Sequence, residues 1–411
     1  MSKTTKMAIV AWLLVLIYYF YQYALRSAPS VMIPQLSEAF GLNALGVASI
    51  VGLFYYGYSP FSLITGVSLD RLGLRKVIPL GAFAVGLGAI LFVTGNQTAA
   101  SFGRFLQGAG GAVPLVGAVY IVSRYFPASK AATLIGAAQM FGMAGGFAGQ
   151  FAVGPAIGNG YPWQNFWIVM GMAGIVLGII LWIFLPKEER QIMPENYLKS
   201  TMQAFKLVFT NPQSLLCGFI AALIFIPTTI FDMVWGVRFL QEGYGFDYGN
   251  AVMRSASVPF GWIIGCPLLG FISDRIGRRK PVMIGGAVLL LLCLTWALFG
   301  RPDVFPPFSV GLLIGIASGA GMIPYTVIKE ANPPQFSGTA TGVTNFINFT
   351  FSAMMGPVFG WLLVRNAVGP GPFPMKDYQI TFEPLLFGVG LAIILTLFLK
   401  ETGFARLRNS N

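Results

Sequence analysis

Histidine is missing altogether from this chain of 411 residues. Its absence removes the commonest metal ligand and the usual proton relay near neutral pH. Cysteine is nearly as scarce: Cys217, Cys266 and Cys293 each lie inside an apolar run, with no pair spaced for metal or redox work and no basis for a disulfide framework. Charge is short as well. With 10% charged residues against 55% hydrophobic ones, the chain has too little polar surface for a soluble globule of this length. A Walker loop, a nucleophilic triad and a metal cluster are also lacking, so an enzyme is disfavoured and no cofactor is called for.

What the chain does have is apolar runs. About twelve of them reach the ~18 residues a helix needs to cross a ~30 Å hydrocarbon core. Lipid offers the backbone no hydrogen bonds, so such runs must be helices. They fall near 7–36, 45–69, 77–94, 99–123, 132–157 and 165–185, then 214–241, 248–272, 281–299, 307–328, 338–363 and 383–399. Lys3 and Lys6 precede the first run, which continues without a clear cleavage site and reads as a membrane helix, not a removable signal.

A formal net charge of +12 could suggest a nucleic-acid partner. The positions of the charges point to the bilayer instead, because most of the 26 Lys and Arg fall in alternate loops, the positive-inside pattern. Both termini are therefore expected in the cytoplasm, with a bacterial inner membrane as the expected location. No nucleic-acid partner is expected.

The chain is internally doubled. GVSLDRLGLRK, Gly66 to Lys76, returns as GFISDRIGRRK, Gly270 to Lys280, each a short charged hairpin between two apolar runs. PQLSEAFGL (from Pro34) matches RFLQEGYGF (from Arg238) in the same register, and GPAIG (from Gly154) is echoed by GPVFG (from Gly356). The fold class that follows is an all-α membrane protein of twelve transmembrane helices in two pseudo-symmetric six-helix bundles. The expected domains are 1–186 for the first bundle, 187–212 for a cytoplasmic linker and 213–411 for the second bundle. Within the linker, Leu198, Met202, Phe205 and Phe209 share one helical face with Lys199 and Lys206 off it, which predicts an interfacial helix. Since one chain holds both halves, a monomer is expected.

In each hairpin, Gly66 or Gly270 allows close helix approach and Gly73 or Gly277 a tight turn. Asp70 and Asp274 can accept hydrogen bonds from basic neighbours or sit at a helix N-terminus. Arg71, Arg75, Arg275, Arg278 and Arg279 can then hold the cytoplasmic ends together or face anionic lipid. With these residues the sequence resembles the major facilitator superfamily, whose signature is a G-x-x-x-D-R-x-G-R-[KR]-[KR] loop in both halves; the first copy departs at Leu74. RFLQGAGGA, Arg104 to Ala112, is similar to the family's second motif. The resemblance implies alternating access, with Gly66, Asp70, Arg71, Arg75, Gly270, Asp274, Arg275, Arg278 and Arg279 forming a cytoplasmic latch.

Function should rest on the polar groups inside the helices, because a charge at a helix centre in lipid costs at least ~2.5 kcal/mol. Arg26 stands out. It lies past the middle of a long first helix and shares a face with Tyr19, Gln22, Tyr23 and Ser30, a stripe suited to a water-filled cavity. A purely structural tie between Arg26 and Asp232 is the alternative. Arg254 offers a second positive group, Trp235 an aromatic wall, and Gln139, Asn345 and Asn348 either line the cavity or bond across helices. Arg104 either snorkels outward or tunes protonation.

With Arg26, Arg104 and Arg254 against Asp232, the helix interiors are net positive, which favours a small organic anion or an amino acid, a carboxylate-bearing substrate, over a cationic drug. The first helix also resembles that of organic-anion transporters of the anion:cation symporter type, in which an Arg is followed by a Pro as Arg26 is by Pro34. Those symporters carry a glutamate in the glycine run where this chain has Gly111. Asp232 is then the candidate for coupling to a proton, or to another ion. The rivals are a drug or metabolite exporter working by proton antiport and a membrane sensor on the same fold.

Overall fold

The computed structural model describes residues 3–42, 44–187, 197–301, 304, 306, 308–366 and 372–403. Among them there is no strand, and twelve helices are long and apolar enough to cross a membrane. We number these α1 (Lys6–Val31), α2 (Ser49–Leu72), α3 (Leu74–Phe92), α4 (Gln97–Tyr125), α5 (Ala128–Ile157), α6 (Trp163–Phe184), α7 (Pro212–Tyr244), α8 (Gly249–Ile276), α9 (Lys280–Phe299), α10 (Ser309–Glu330), α11 (Pro334–Asn366) and α12 (Met375–Phe398). The all-α fold expected from the apolar runs is the fold observed.

Local chemistry sets several helix ends. The Asn96 side chain accepts from the N–H groups of Thr98 and Ala99, at 2.8 and 3.1 Å, and so caps α4. Asp247 caps α8 by accepting from Asn250 N at 3.1 Å. This exposed carboxyl is held below its usual range by Asn250, whose side-chain amide donates to it as well. Gly277, with φ of 68°, closes α8 in the left-handed conformation that side chains avoid.

Two proline effects depart from the sequence reading. The first helix does not run to 36: regular α-helix stops at Ser27, a 3₁₀ turn spans Ala28–Val31, and a separate helix covers Ile33–Phe40. Pro29 lacks an N–H and its ring blocks the preceding turn, so the ladder cannot continue. In α7, Pro227 opens a π-helical stretch, Pro227–Gly236, with Asp232 inside it. At the other end of the chain, α12 starts well before 383, because its polar first turns are satisfied: Tyr378 Oη donates to Glu242 Oε2 at 2.7 Å. The repeated GPxxG also acts unequally, since Pro155 lies in a separate short helix, Val153–Gly158, whereas Pro357 sits inside a continuous one.

By compactness the chain forms two units. Unit 1 comprises Met1–Pro127, Phe141–Asn211 and Asn332–Phe346; unit 2 comprises Ala128–Met140, Pro212–Ala331 and Ile347–Asn411. Within unit 1, α2 and α4 touch backbone to backbone: a Cβ on Gly57 would strike the Phe105 carbonyl, and one on Gly108 the Phe54 carbonyl. This is the packing role of the glycine run after Arg104. The expected linker residues 188–196 lie outside the described residues. Beyond them Tyr197–Thr210 is helical, with Ala204 and Val208 buried and Phe205 and Phe209 half-buried; Met202, expected on that face, is exposed.

Candidate substrate-binding site

Arg26 occupies the last turn of the regular part of α1, where the C-terminal end of the helix dipole favours a cation. The early end of that helix therefore changes its setting from mid-helix to helix end. Around its guanidinium carbon stand four aromatic rings: Tyr23 at 4.9 Å, Tyr55 at 5.0 Å, Phe54 at 5.7 Å and Tyr58 at 5.9 Å. Arg26 Nη2 also donates to Tyr55 Oη at 3.1 Å. Each cation–π contact is worth about 0.5–2 kcal/mol, so the cage offsets part of the cost of holding the charge. Arg26 and Tyr55 are half-buried, while Tyr23, Phe54 and Tyr58 are buried.

The rest of the predicted α1 stripe is enclosed. Tyr19 packs edge-on to Tyr23, 5.0 Å between centroids, and against the surface left bare by Gly142. Gln22 is buried beside Gly111, and neither amide atom has a hydrogen-bond partner among the described residues. The Gln22 amide stands where a Cβ on Gly111 would project, 2.9 Å from it.

Arg104 corrects one reading, for it does not snorkel. It is 1% exposed and donates to the Leu25 carbonyl at 3.3 Å, the Val51 carbonyl at 3.4 Å and Gln107 Oε1 at 2.6 Å. These bonds tie α4 to α1 and α2, next to Arg26 in sequence on the α1 side. Asn345, in the part of α11 that belongs to unit 1, donates to Tyr58 Oη at 3.3 Å and Ser62 Oγ at 3.1 Å, bonding across helices.

Unit 2 carries the second group of candidates. Asp232 is buried, and Ser255 Oγ donates to its Oδ1 at 3.0 Å; among the described residues of that unit it makes no ion pair. Asp232, Ser255 and Arg254 line one small cavity whose other walls are apolar or glycine, among them Phe231, Phe239 and Val258. The Arg254 guanidinium lies over the Phe246 ring at 4.3 Å. Trp235 is half-buried on the π-helical stretch, with the Arg238 guanidinium 5.9 Å from its ring. Asn348 donates to Tyr325 Oη at 3.3 Å, and Gln139 is buried within the portion of α5 assigned to unit 2.

The doubled hairpins prove to be helix-capping devices. Asp70 accepts from Gly338 N at 2.9 Å and from Thr339 N and Oγ1 at 2.7 Å each. Asp274 repeats the pattern with Ala132 N at 3.3 Å, Thr133 N at 2.8 Å and Thr133 Oγ1 at 2.7 Å. Gly66 and Gly270 clear the way for this contact, since a Cβ on either would meet the Gly338 or the Ala132 carbonyl.

The arginines divide by copy. Arg279 is 1% exposed and bridges Asp274 at 2.6 Å and Glu330 at 2.8 Å. Burial alone would lower its pKa, but hydrogen bonds and charge from Glu330 and Asp274 raise it above the ordinary value. Arg75, its counterpart, donates to the Trp182 carbonyl at 3.0 Å. Arg71 is half-buried, and Arg275 and Arg278 are exposed.

The model of the Major Facilitator Superfamily matches residues 15–357. The chain belongs to this superfamily. It is 23% identical over 389 residues, 84% of this chain and 83% of the other, to a Bacillus subtilis protein named "Probable galactarate/D-glucarate transporter". To the "Hexuronate transporter" of the same species it is 23% identical over 395 residues, 88% of this chain and 89% of the other. The crystal structure of the E. coli fucose:proton symporter superposes with a TM-score of 0.71 at 16% identity, covering 95% of this chain and 98% of that one. This member of the superfamily is a multi-pass membrane transporter, not an enzyme.

Sequence reasoning missed the α2 half of the Arg26 cage. Phe54, Tyr55 and Tyr58 come from the run FYYGY, whose density of aromatic residues was visible but read only as a membrane helix. Ser255 and Phe246, beside Asp232 and Arg254, gave no signal of their own.

Proposed function

We propose that this transporter moves a small organic anion or amino acid across the membrane by alternating access, with Arg26 as the carboxylate anchor. The observation that carries the reading is the ring-lined guanidinium at the end of α1, with one nitrogen already oriented by Tyr55. Guanidinium presents a planar fork that matches a carboxylate. The relatives named for sugar acids support the same charge. Asp232 is the coupling group: a buried carboxylate sharing a small cavity with Arg254 can be neutralised by a proton. Arg254 then serves as the second positive group. The capped hairpins at Asp70 and Asp274 act as the cytoplasmic latch; the excess of Lys and Arg in alternate loops supports cytoplasmic termini, and a bacterial inner membrane is the proposed location. The transporter works as a monomer.

The test is uptake of radiolabelled D-glucarate and D-glucuronate into proteoliposomes holding the purified protein, with and without an imposed proton gradient. Saturable uptake of either acid that is lost in Arg26→Ala, while the variant keeps its melting temperature, supports the reading. Binding without uptake would make the protein a sensor. Efflux of cationic drugs, with no uptake of any acid, would make it an exporter.

A further inference from the structure

The cavity that holds Asp232 lies between α7, α8, α9 and α10 of unit 2, and its lining is graded. Asp232 and Ser255 are buried, whereas Leu240, Arg254 and Val310 are half-buried. Leu240 belongs to the last turn of α7, Arg254 to the second turn of α8, Ala297 to the last turn of α9 and Val310 to the first turn of α10. These helix ends meet at the end of the unit away from the Gly270–Lys280 hairpin, and Asp232 lies deeper, before Gly236 and Leu240 on α7. With cytoplasmic termini, as proposed above, the graded end faces outward. A volume of ≈ 50 Å³ is several times the ~10–15 Å³ that one water needs, and the groups of Asp232, Ser255 and Arg254 supply water with polar partners. Gly236 keeps the flank of the carboxylate clear: a Cβ there would stand 2.9 Å from both Asp232 Oδ1 and Ser255 Oγ.

We infer that this cavity is a proton port: Asp232 exchanges its proton with outer water through the helices of unit 2, past Arg254, and not along the path that carries the substrate. The inference rests on the coupling role given to Asp232 above. Hydronium in the cavity and the Asp232 carboxylate become water and the carboxylic acid, so loading needs no substrate. A hard metal cation takes about six or more oxygen ligands, and the side chains lining this cavity offer it only those of Asp232 and Ser255. The charged lining is Asp232 from α7 and Arg254 from α8; α9 and α10 contribute Ala297, Val310, Gly311 and Ile314. Other titratable groups toward this end lie outside the lining. Arg238 and Glu242 of α7 pair at 2.6 Å, Tyr378 of α12 donates to Glu242, and Tyr244 of α7 donates to the Ala297 carbonyl. Asp377 of α12 is buried, and Arg365 of α11 lies over the Trp361 ring.

The test is infrared difference spectroscopy on the purified full-length protein in lipid, with no acid substrate present. Acidifying the buffer should bring up the C=O stretch of a protonated carboxyl group that Asp232→Asn lacks. Replacing water by heavy water at that pH should shift the band as soon as the buffer has exchanged. Ala297→Leu and Val310→Phe each fill the cavity, and each should slow the shift by about tenfold or more, because exchange then waits for a local opening. Val364→Phe, a matched change on an exposed face of α11, should leave the shift prompt. Val310 is half-buried at the rim, so its variant keeps the test open if melting curves show that Ala297→Leu does not fold. A shift as prompt in the folded filled variants as in the parent overturns the port and leaves Asp232 as the coupling group. A band that appears only once D-glucarate or D-glucuronate is added puts the proton on the substrate path and overturns the port too. Sodium chloride that removes the band at constant pH, where potassium chloride does not, makes the cavity a metal-cation site instead. A carboxyl group that keeps one protonation state at every pH overturns the port and the coupling role together.

Discussion

Asp70 Oδ2 accepts two hydrogen bonds from the single residue Thr339, one from its backbone N and one from its Oγ1, each at 2.7 Å. The carboxylate thus sits at the start of a helix, where free N–H groups and the dipole both favour an anion. Asp70→Ala would strand the N–H groups of Gly338 and Thr339 in a buried setting, a loss of about 1–3 kcal/mol. Thr339→Val removes only the hydroxyl bond and should cost about 1 kcal/mol. Thermal unfolding in detergent should place the variants in that order, and equal melting temperatures would contradict the capping role.

The two hairpins should respond unequally to loss of their matching arginines. Arg279→Ala leaves Asp274 and Glu330 without their shared cation, a change that costs about 3–5 kcal/mol in a buried setting. Arg75→Ala removes one bond to a carbonyl and should stay within about 1 kcal/mol. Chemical denaturation of the two variants side by side measures the difference. If Arg75→Ala proves the more damaging, the network read around Arg279 is not what holds that region.

Arg26→Lys keeps the charge but loses the fork, so it should weaken binding of the transported acid by about tenfold or more. Tyr55→Phe removes the hydrogen bond to Nη2, worth about 1.5–3 kcal/mol when a charged group is involved, and should weaken binding of every anion by a similar factor. The calorimetric constants of both variants check this. Full affinity in Arg26→Lys would mean that a point charge suffices.

Asp232→Asn keeps the size and the bond to Ser255 but cannot carry a proton. Uptake driven uphill by a proton gradient should be lost in this variant, whereas exchange of labelled for unlabelled substrate should persist. Retained uphill uptake would move the coupling role elsewhere. Ser255→Ala, which leaves the carboxylate without its hydroxyl donor, should shift the pH dependence of uptake without abolishing it.

Gly108 faces the Phe54 carbonyl so closely that no side chain fits, and Phe54 is part of the cage. Gly108→Leu should therefore disturb both α2–α4 packing and anion binding, costing about 1–3 kcal/mol or more in stability. Melting curves and titration of the transported acid on the same preparation report the two effects together.

The sequence by itself determined the number of apolar runs long enough to cross, the internal doubling, the charged hairpins and the isolation of Arg26 within an apolar run, because apolar length, repeat and isolated charge are local properties of a chain in lipid. Pro29 was equally visible, yet the apolar run around it hid the break, and the helix end at Ser27 needed the structure. Tertiary structure alone decided which groups meet Arg26. Tyr55 and Tyr58 arrive from α2 through a glycine-lined contact with α4, Arg104 turns inward to the carbonyls of Leu25 and Val51, and Asn345 satisfies Tyr58 from far along the chain. Composition can say that a guanidinium within an apolar helix must be accommodated. Only the fold can say that it is accommodated by rings and backbone, because those partners are chosen by three-dimensional proximity and not by spacing along the sequence.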